Sequence, residues 1–266
     1  MIIIKIGGAP GINYDLVLDN IAKLIKENKK IIIVHGGKSK LEEIGTKLGN
    51  PPKWVTTASG HISRRTSKET IEQFTMVYAG LMNKMIVEKL LQSGIKASGL
   101  TGIDGSNIIA KKKNIRIIEA GKKKILRDDY TGKIVEVNTQ IIDSLQEKDI
   151  TPVLCPPAIS LENEALNVDG DRMTAMVAEK FKANAVIYLS NIPGLLRDKD
   201  DESTLIKSIT KENLEASMEF AKGTMKKKVM GAMEAIEAGV EKVIFADARI
   251  KEPVTNALLG KGTVIE

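Results

Sequence analysis

Two short apolar runs end in paired glycines, Lys5-Ile6-Gly7-Gly8 and Val34-His35-Gly36-Gly37. Glycine at the carboxyl end of a strand lets backbone N–H groups approach phosphate or carboxylate oxygens with no Cβ in the way. Tight turns need glycine as well, so one such pair says little. Two pairs, one preceded by a lysine, favour an anion site. Later in the chain, Asn167-Val168-Asp169-Gly170-Asp171 opens a helical pattern with an amide and two carboxylates. Residues of this kind cap helices; the functional alternative is that one carboxylate orients lysines while Asn167 holds a substrate. Gly223-Thr224-Met225-Lys226-Lys227-Lys228 then places positive charge at a helix start, where the macrodipole opposes it. That arrangement makes sense if an anion binds there, with lysines from both ends of the chain flanking a phosphoryl group. His61-Ile62-Ser63-Arg64-Arg65-Thr66 offers guanidinium forks suited to carboxylates, although loop arginines are more often simply solvated.

Other chemistries drop out. Gly37-Lys38-Ser39 matches the end of a P-loop, but the glycine required five residues earlier is Ile32. The dinucleotide fingerprint is missing after the first strand, where Gly7-Gly8-Ala9-Pro10-Gly11 has the wrong spacing. Two histidines and one cysteine are too few for a zinc site or a Cys–His nucleophile. Neither a Gly-x-Ser-x-Gly elbow nor a protein-kinase catalytic loop is present.

The elements that must position these residues follow an α/β pattern with a mainly parallel sheet. Strands are expected at Met1–Ile6, Ile31–Val34, Ile95–Leu100, Thr151–Cys155 (halted by Pro156-Pro157), Ala185–Leu189 and Val243–Ala246. Helices are expected at Tyr14–Lys29, Lys68–Gln92, Met173–Phe181 and Met225–Ala238. Ser106–Val137 reads as antiparallel hairpins decorating the sheet. The 266 residues, 42% of them hydrophobic, suit one large domain or two packed lobes, with a boundary expected near residue 165. A single cysteine, Cys155, excludes an intramolecular disulfide, and Met1 runs straight into Ile2-Ile3-Ile4 without a signal-peptide start. With no apolar run of membrane-spanning length, the expectation is a cytoplasmic protein. The net charge of +6 is clustered at Lys111–Lys113, Lys122–Lys124 with Arg127, and Lys226–Lys228. No aromatics interleave with these lysines, which argues against nucleic acid.

Taken in order, these segments resemble the amino-acid kinase family along essentially the whole chain. Its N-acetylglutamate kinase branch is the nearest, and within it the [LysW]-aminoadipate kinases and [LysW]-glutamate kinases. Gly60-His61-Ile62-Ser63-Arg64, Asp129-Tyr130-Thr131-Gly132 and Phe245-Ala246-Asp247-Ala248-Arg249 carry that last likeness. The resemblance implies a three-layer αβα sandwich with residues 1–165 as a lobe for the acyl substrate and dimerisation, and residues 166–266 as a lobe for ATP. It implies transfer of the γ-phosphoryl of ATP, with Mg²⁺ riding on the nucleotide, to a side-chain carboxylate of aminoadipate or glutamate. The amino acid would be carried by LysW, a small acidic carrier protein. By motif position, Lys5 and Lys228 would stabilise the moving phosphoryl group and Asp171 would hold both lysines. Gly36, Gly37, Arg64 and Asn167 would bind the amino-acid part; Gly7, Gly8 and Ser190 would meet the nucleotide. No metal-ligating protein residues are expected. Lys38 stands where N-acetylglutamate kinases usually have a third glycine. A first strand starting at Ile2 leaves no room for the N-terminal helix that links some relatives into hexamers, so a homodimer is expected. The same residues also allow a plain N-acetylglutamate kinase or, outside enzymes, a nucleotide-binding sensor on the same fold.

Overall fold

The structure, a computed structural model, describes residues 1–58, 60, 62–119, 122–221 and 224–266, with backbone alone at 63, 119, 122, 123, 211, 224 and 227. The first half contains β1 (Ile2–Ile6), α1 (Tyr14–Lys26), β2 (Ile31–His35), α2 (Lys38–Lys47), β3 (Trp54–Thr56) and β4 (Ile62–Arg64). It continues with α3 (Lys68–Thr75), a π-helical turn (Met76–Met82), α4 (Asn83–Gln92) and β5 (Ala97–Gly102). Next come β6 (Ile108–Lys112), β7 (Ile115–Glu119), β8 (Lys122–Leu126), β9 (Gly132–Val137), α5 (Gln140–Gln146) and β10 (Thr151–Ser160). The remainder is β11 (Ala165–Leu166), α6 (Gly170–Lys180), β12 (Ala185–Ser190), β13 (Ser208–Ile209), α7 (Leu214–Met218), α8 (Thr224–Glu237), β14 (Val243–Asp247), α9 (Pro253–Leu258) and β15 (Thr263–Ile265).

One sheet runs β13-β15-β14-β12-β1-β2-β10-β6-β9, with β5 and β11 also paired to β10. Its centre is parallel, β1 lying between β12 and β2, while β6–β9, β10–β11 and β14–β15 are antiparallel. Strand side chains alternate between faces, and the core splits accordingly. Ile3, Ile32, Val34, Val186, Tyr188, Val243 and Phe245 meet α6 and α8 on one face. Ile2, Ile4, Ile6, Ile31, Ile33, Ile187 and Ile244 meet α1, α4 and α9 on the other. Each fully buried Ile contributes roughly 1.5–3 kcal/mol, enough to fix the register of β1 in the middle of three layers. By this alternation Lys5 shares the face of Ile3, the face covered by α6 and α8.

Three expectations are revised. β10 does not stop at Pro156-Pro157 but continues to Ser160. Thr151–Cys155 pairs with β5, whereas Ala158–Ser160 pairs with β11 and β6. The prolines sit where the strand changes partners, so the N–H groups they lack are not needed in either ladder. In the hairpin region, β6 and β9 join the main sheet, and only β7–β8 stands apart as a separate ribbon. Lys111 and Lys112 end β6, while Lys122 pairs with Glu119 at the far end of β7–β8, so the two lysine clusters lie on different ribbons. Finally, Lys68–Gln92 is interrupted by the π-helical turn. Among the described residues, no helix is long and apolar enough to cross a membrane.

Candidate active site

The carboxyl ends of β1 and β2 meet through their glycines. Gly36 N–H donates to the Ile6 carbonyl at 2.9 Å, and Ser39 N–H donates to the Gly8 carbonyl at 2.9 Å. A Cβ on Gly8 would lie 2.4 Å from Gly37 N and 2.6 Å from Lys38 N, so only glycine permits this approach. Gly37 also opens α2 without a side-chain cap, leaving first-turn N–H groups directed at the junction. On the other side, Gly7 N–H donates to the Leu189 carbonyl at 2.9 Å, which brings the end of β12 and Ser190 alongside.

Lys5 precedes the β1 glycines by two residues and sits between Val34 of β2 and Tyr188 of β12 in the strand register. Its Nζ is 2.8 Å from Asp171 Oδ1, and Lys228 Nζ is 3.8 Å from Asp171 Oδ2. The two carboxylates of the Asn167–Asp171 segment therefore divide the work left open by the sequence. Asp169 caps α6 by accepting the Arg172 N–H at 2.9 Å, and Asp171 holds the lysines. Burial pushes the Asp171 carboxyl up, but the Lys5 and Lys228 charges outweigh it and hold the group below the usual aspartate range. Burial lowers Lys228, with Asp171 pulling the other way. Tyr188, directly opposite Lys5 in the β1–β12 register, donates its hydroxyl to the Asp171 carbonyl at 3.1 Å and steadies the first turn of α6. A cavity of about 510 Å³ opens beside this group, lined by Asp169, Asp171, Arg172, Tyr188 and Lys228 among others. Gly223 and its neighbour 222 lie outside the described residues, as does His61.

Arg64 and Asn167 approach from a different quarter. Arg64 ends β4, with a guanidinium nitrogen 4.0 Å from Glu42 Oε1 of α2. Asn167 Nδ2 donates to Thr66 Oγ1 at 3.1 Å, two residues beyond Arg64. The buried carboxylate of Asp129 joins these segments, accepting the Thr66 and Thr131 N–H groups at 2.9 Å each. Tyr78, from the π-helical turn, is pushed up to about 12 by burial, while Arg64 and the Gly37 N–H draw it down. Its ring lies against Gly37, within 3.1 Å of where a Cβ on that glycine would be. Sequence reasoning missed Glu42, Thr66 and Tyr78, which lie in ordinary amphipathic or polar runs with no spacing to single them out. Arg249, in the last segment of the likeness, is tied instead to Asp247 and Glu202.

Two lysines converge on one carboxylate, beside glycines at strand ends, an arrangement whose charge and backbone N–H groups suit an anion. The amino acid kinase family model matches residues 1–247. The chain belongs to the amino acid kinase family. The kinase is 46% identical over 268 residues to the [LysW]-aminoadipate kinase of Thermus thermophilus, covering all of both chains. It is 39% identical to the [LysW]-aminoadipate/[LysW]-glutamate kinase of Metallosphaera sedula, again over 100% of each. An isopentenyl phosphate kinase structure superposes with a TM-score of 0.65 at 19% identity, over 100% of both chains, which speaks for the fold.

Proposed function

We propose that this kinase transfers the γ-phosphoryl group of ATP to the side-chain carboxylate of α-aminoadipate carried on LysW, in lysine biosynthesis. The observation that carries the reaction class is Asp171 between Lys5 and Lys228. A side-chain carboxylate is already ionised at neutral pH and needs no general base. The protein's task is to hold two anions in line and to spread the charge of a loose transition state. Lys5 and Lys228 supply that charge, Asp171 keeps both ammonium groups in place, and Gly8 offers its N–H to the moving group. Gly36, Gly37, Arg64 and Asn167 bind the amino-acid part; Gly7 and Ser190 border the nucleotide. Mg²⁺ would arrive on the ATP phosphates and neutralise part of their charge.

In this reading, residues 1–165 serve the acceptor and residues 166–266 the nucleotide, on a sheet that both share. Glutamate on the same carrier is a second acceptor, favoured by the double name of the M. sedula relative. A place in arginine biosynthesis would follow from that. The kinase works in the cytoplasm, and as a homodimer, for which exposed Met76, Leu81 and Met85 along one helical stretch offer an apolar surface. An ATP-dependent hydroxamate assay with carrier-linked aminoadipate, carrier-linked glutamate and N-acetylglutamate tests the assignment. Turnover of N-acetylglutamate alone would overturn it.

A further inference from the structure

His35 is fully buried, one residue before the paired glycines of β2, and its neighbours fix its proton by elimination. Asn83 Nδ2 lies 2.9 Å from the Val153 carbonyl oxygen, which can only accept, so the amide nitrogen must face that way. The same Nδ2 lies 3.2 Å from His35 Nε2 and 3.8 Å from Cys155 Sγ, and as a donor it suits an Nε2 that carries no proton. The proton is on Nδ1, 2.9 Å from the Gly36 carbonyl oxygen, and is donated to it. Burial pushes His35 down to about 4, so the ring stays neutral at physiological pH.

A trans peptide is planar, so the Gly36 carbonyl and the Gly37 N–H point in opposite directions. Anchoring the carbonyl turns that N–H away from His35. Gly36 N–H is itself tied to Ile6. Both ends of Gly36 are thus fixed, although glycine would otherwise let this peptide rotate.

Asn83 reaches His35 by two devices. It directly follows the π-helical turn, whose extra residue shifts the face presented by the rest of the helix. Beneath it, β5 carries Gly99, where a Cβ would fall 1.6 Å from Asn83 Oδ1. The same turn lays Tyr78 and Met82 on Gly37, within 3.1 and 3.3 Å of where its Cβ would be.

We propose that Asn83 and His35 are positioning residues for phosphoryl transfer, which act through the Gly36 carbonyl to hold the Gly36–Gly37 peptide towards the acceptor, and that the π-helical turn delivers this contact. The proposal rests on the reading of Gly36 and Gly37 as acceptor-binding groups. Asn83→Ala should lower kcat/KM for the carrier-linked acceptor about 100-fold, as misplacement of a reacting group does, and leave KM for ATP within about twofold. Gly99→Ala, which displaces Asn83 from below, should do the same. The control is Asn20→Ala, another buried asparagine, whose bonds to Val254 and Thr255 lie on the α1–α9 contact. It should lose thermal stability and keep its kcat/KM for the acceptor. Amide hydrogen exchange across Gly36–Gly37 should speed up in Asn83→Ala and Gly99→Ala and stay as in the wild type in Asn20→Ala. Unchanged exchange and unchanged kcat/KM for the acceptor in Asn83→Ala would overturn the proposal, as would an equal loss of kcat/KM in Asn20→Ala. A wild-type enzyme inactive on the acceptor would count against the proposed function, and the exchange measurement would still decide the positioning role.

Discussion

At the scale of single residues, the chemistry rests on charges that cost free energy to bury and hold one another in place. Lys5 and Asp171 are an ion pair at 2.8 Å with little exposure, and removing Asp171 leaves the Lys5 charge without this partner. Lys5→Ala or Lys228→Ala should therefore reduce kcat far more than it weakens substrate binding, because phosphoryl charge is greatest in the transition state. A loss on the order of 100-fold or more is expected, read from steady-state kinetics at saturating ATP. Near-normal turnover in either variant would remove that lysine from the mechanism. The pH dependence follows from Lys228. Its ammonium is the useful form and burial lowers its pKa from 10.5, so kcat should fall with rising pH before an ordinary lysine would titrate. Asp171 opposes that lowering. In Asp171→Asn the opposition is gone, and the alkaline limb should move to lower pH. A limb that stays put, or moves up, would mean that Lys228 is not the group titrating.

At the scale of elements, the site depends on two loops approaching more closely than side chains allow. Gly8→Ala would drive a methyl into Gly37 N and Lys38 N, backbone atoms that cannot rotate aside. Overpacking of this sort costs about 1–3 kcal/mol, and the forced shift should also depress kcat. Gly49→Ala provides the contrast: it has nothing within 4 Å but a φ of +75°, so it should cost stability and spare kcat. The central strands were legible because isoleucine-rich runs ending in Gly-Gly permit few other structures, and Ile2–Ile6 and Ile31–His35 formed there. The roles of Asp169 and Asp171 were not legible, since capping and ion pairing use the same residue types at the same helix end. Pro156-Pro157 misled for a physical reason. Proline ends a strand only where its N–H is wanted, and a change of strand partner removes that demand. The π-helical turn left no mark in a helical pattern of Met, Val, Tyr and Leu. Its consequence, a buried Asn83 against His35, shows only when β2, β5 and β10 are assembled.

At the scale of the whole molecule, the excess of positive charge must be set against what the hairpins do with it. The β3–β4 and β7–β8 ribbons are joined where Ala58 N–H donates to the Arg116 carbonyl at 2.7 Å. Lys112 is not available for a partner there. It lies 4.1 Å from the Tyr130 ring centroid and 3.3 Å from Glu164, and so braces the Asp129–Gly132 segment. Lys111 and Lys113 are exposed at the base of the β7–β8 ribbon, with the second cluster further out. If an acidic carrier delivers the substrate, a rim of this kind should speed encounter, and the gain should fade as salt screens it. Replacing Lys111, Lys113, Lys122, Lys123 and Lys124 by Ser, with Lys112 kept, should raise KM for carrier-linked aminoadipate roughly tenfold at low salt, the span of a typical steering effect. The factor should shrink towards one at high ionic strength, with kcat largely intact. A small N-acylated amino acid does not touch this rim, so whatever turnover it supports should not change. Lys112→Ser alone should behave differently, disturbing Tyr130 and with it the backbone that pairs with Asn167, and hence both substrates alike. Equal losses on both substrates in the five-lysine variant would point to misfolding of the ribbon, and no loss on either would return these lysines to a solubility role.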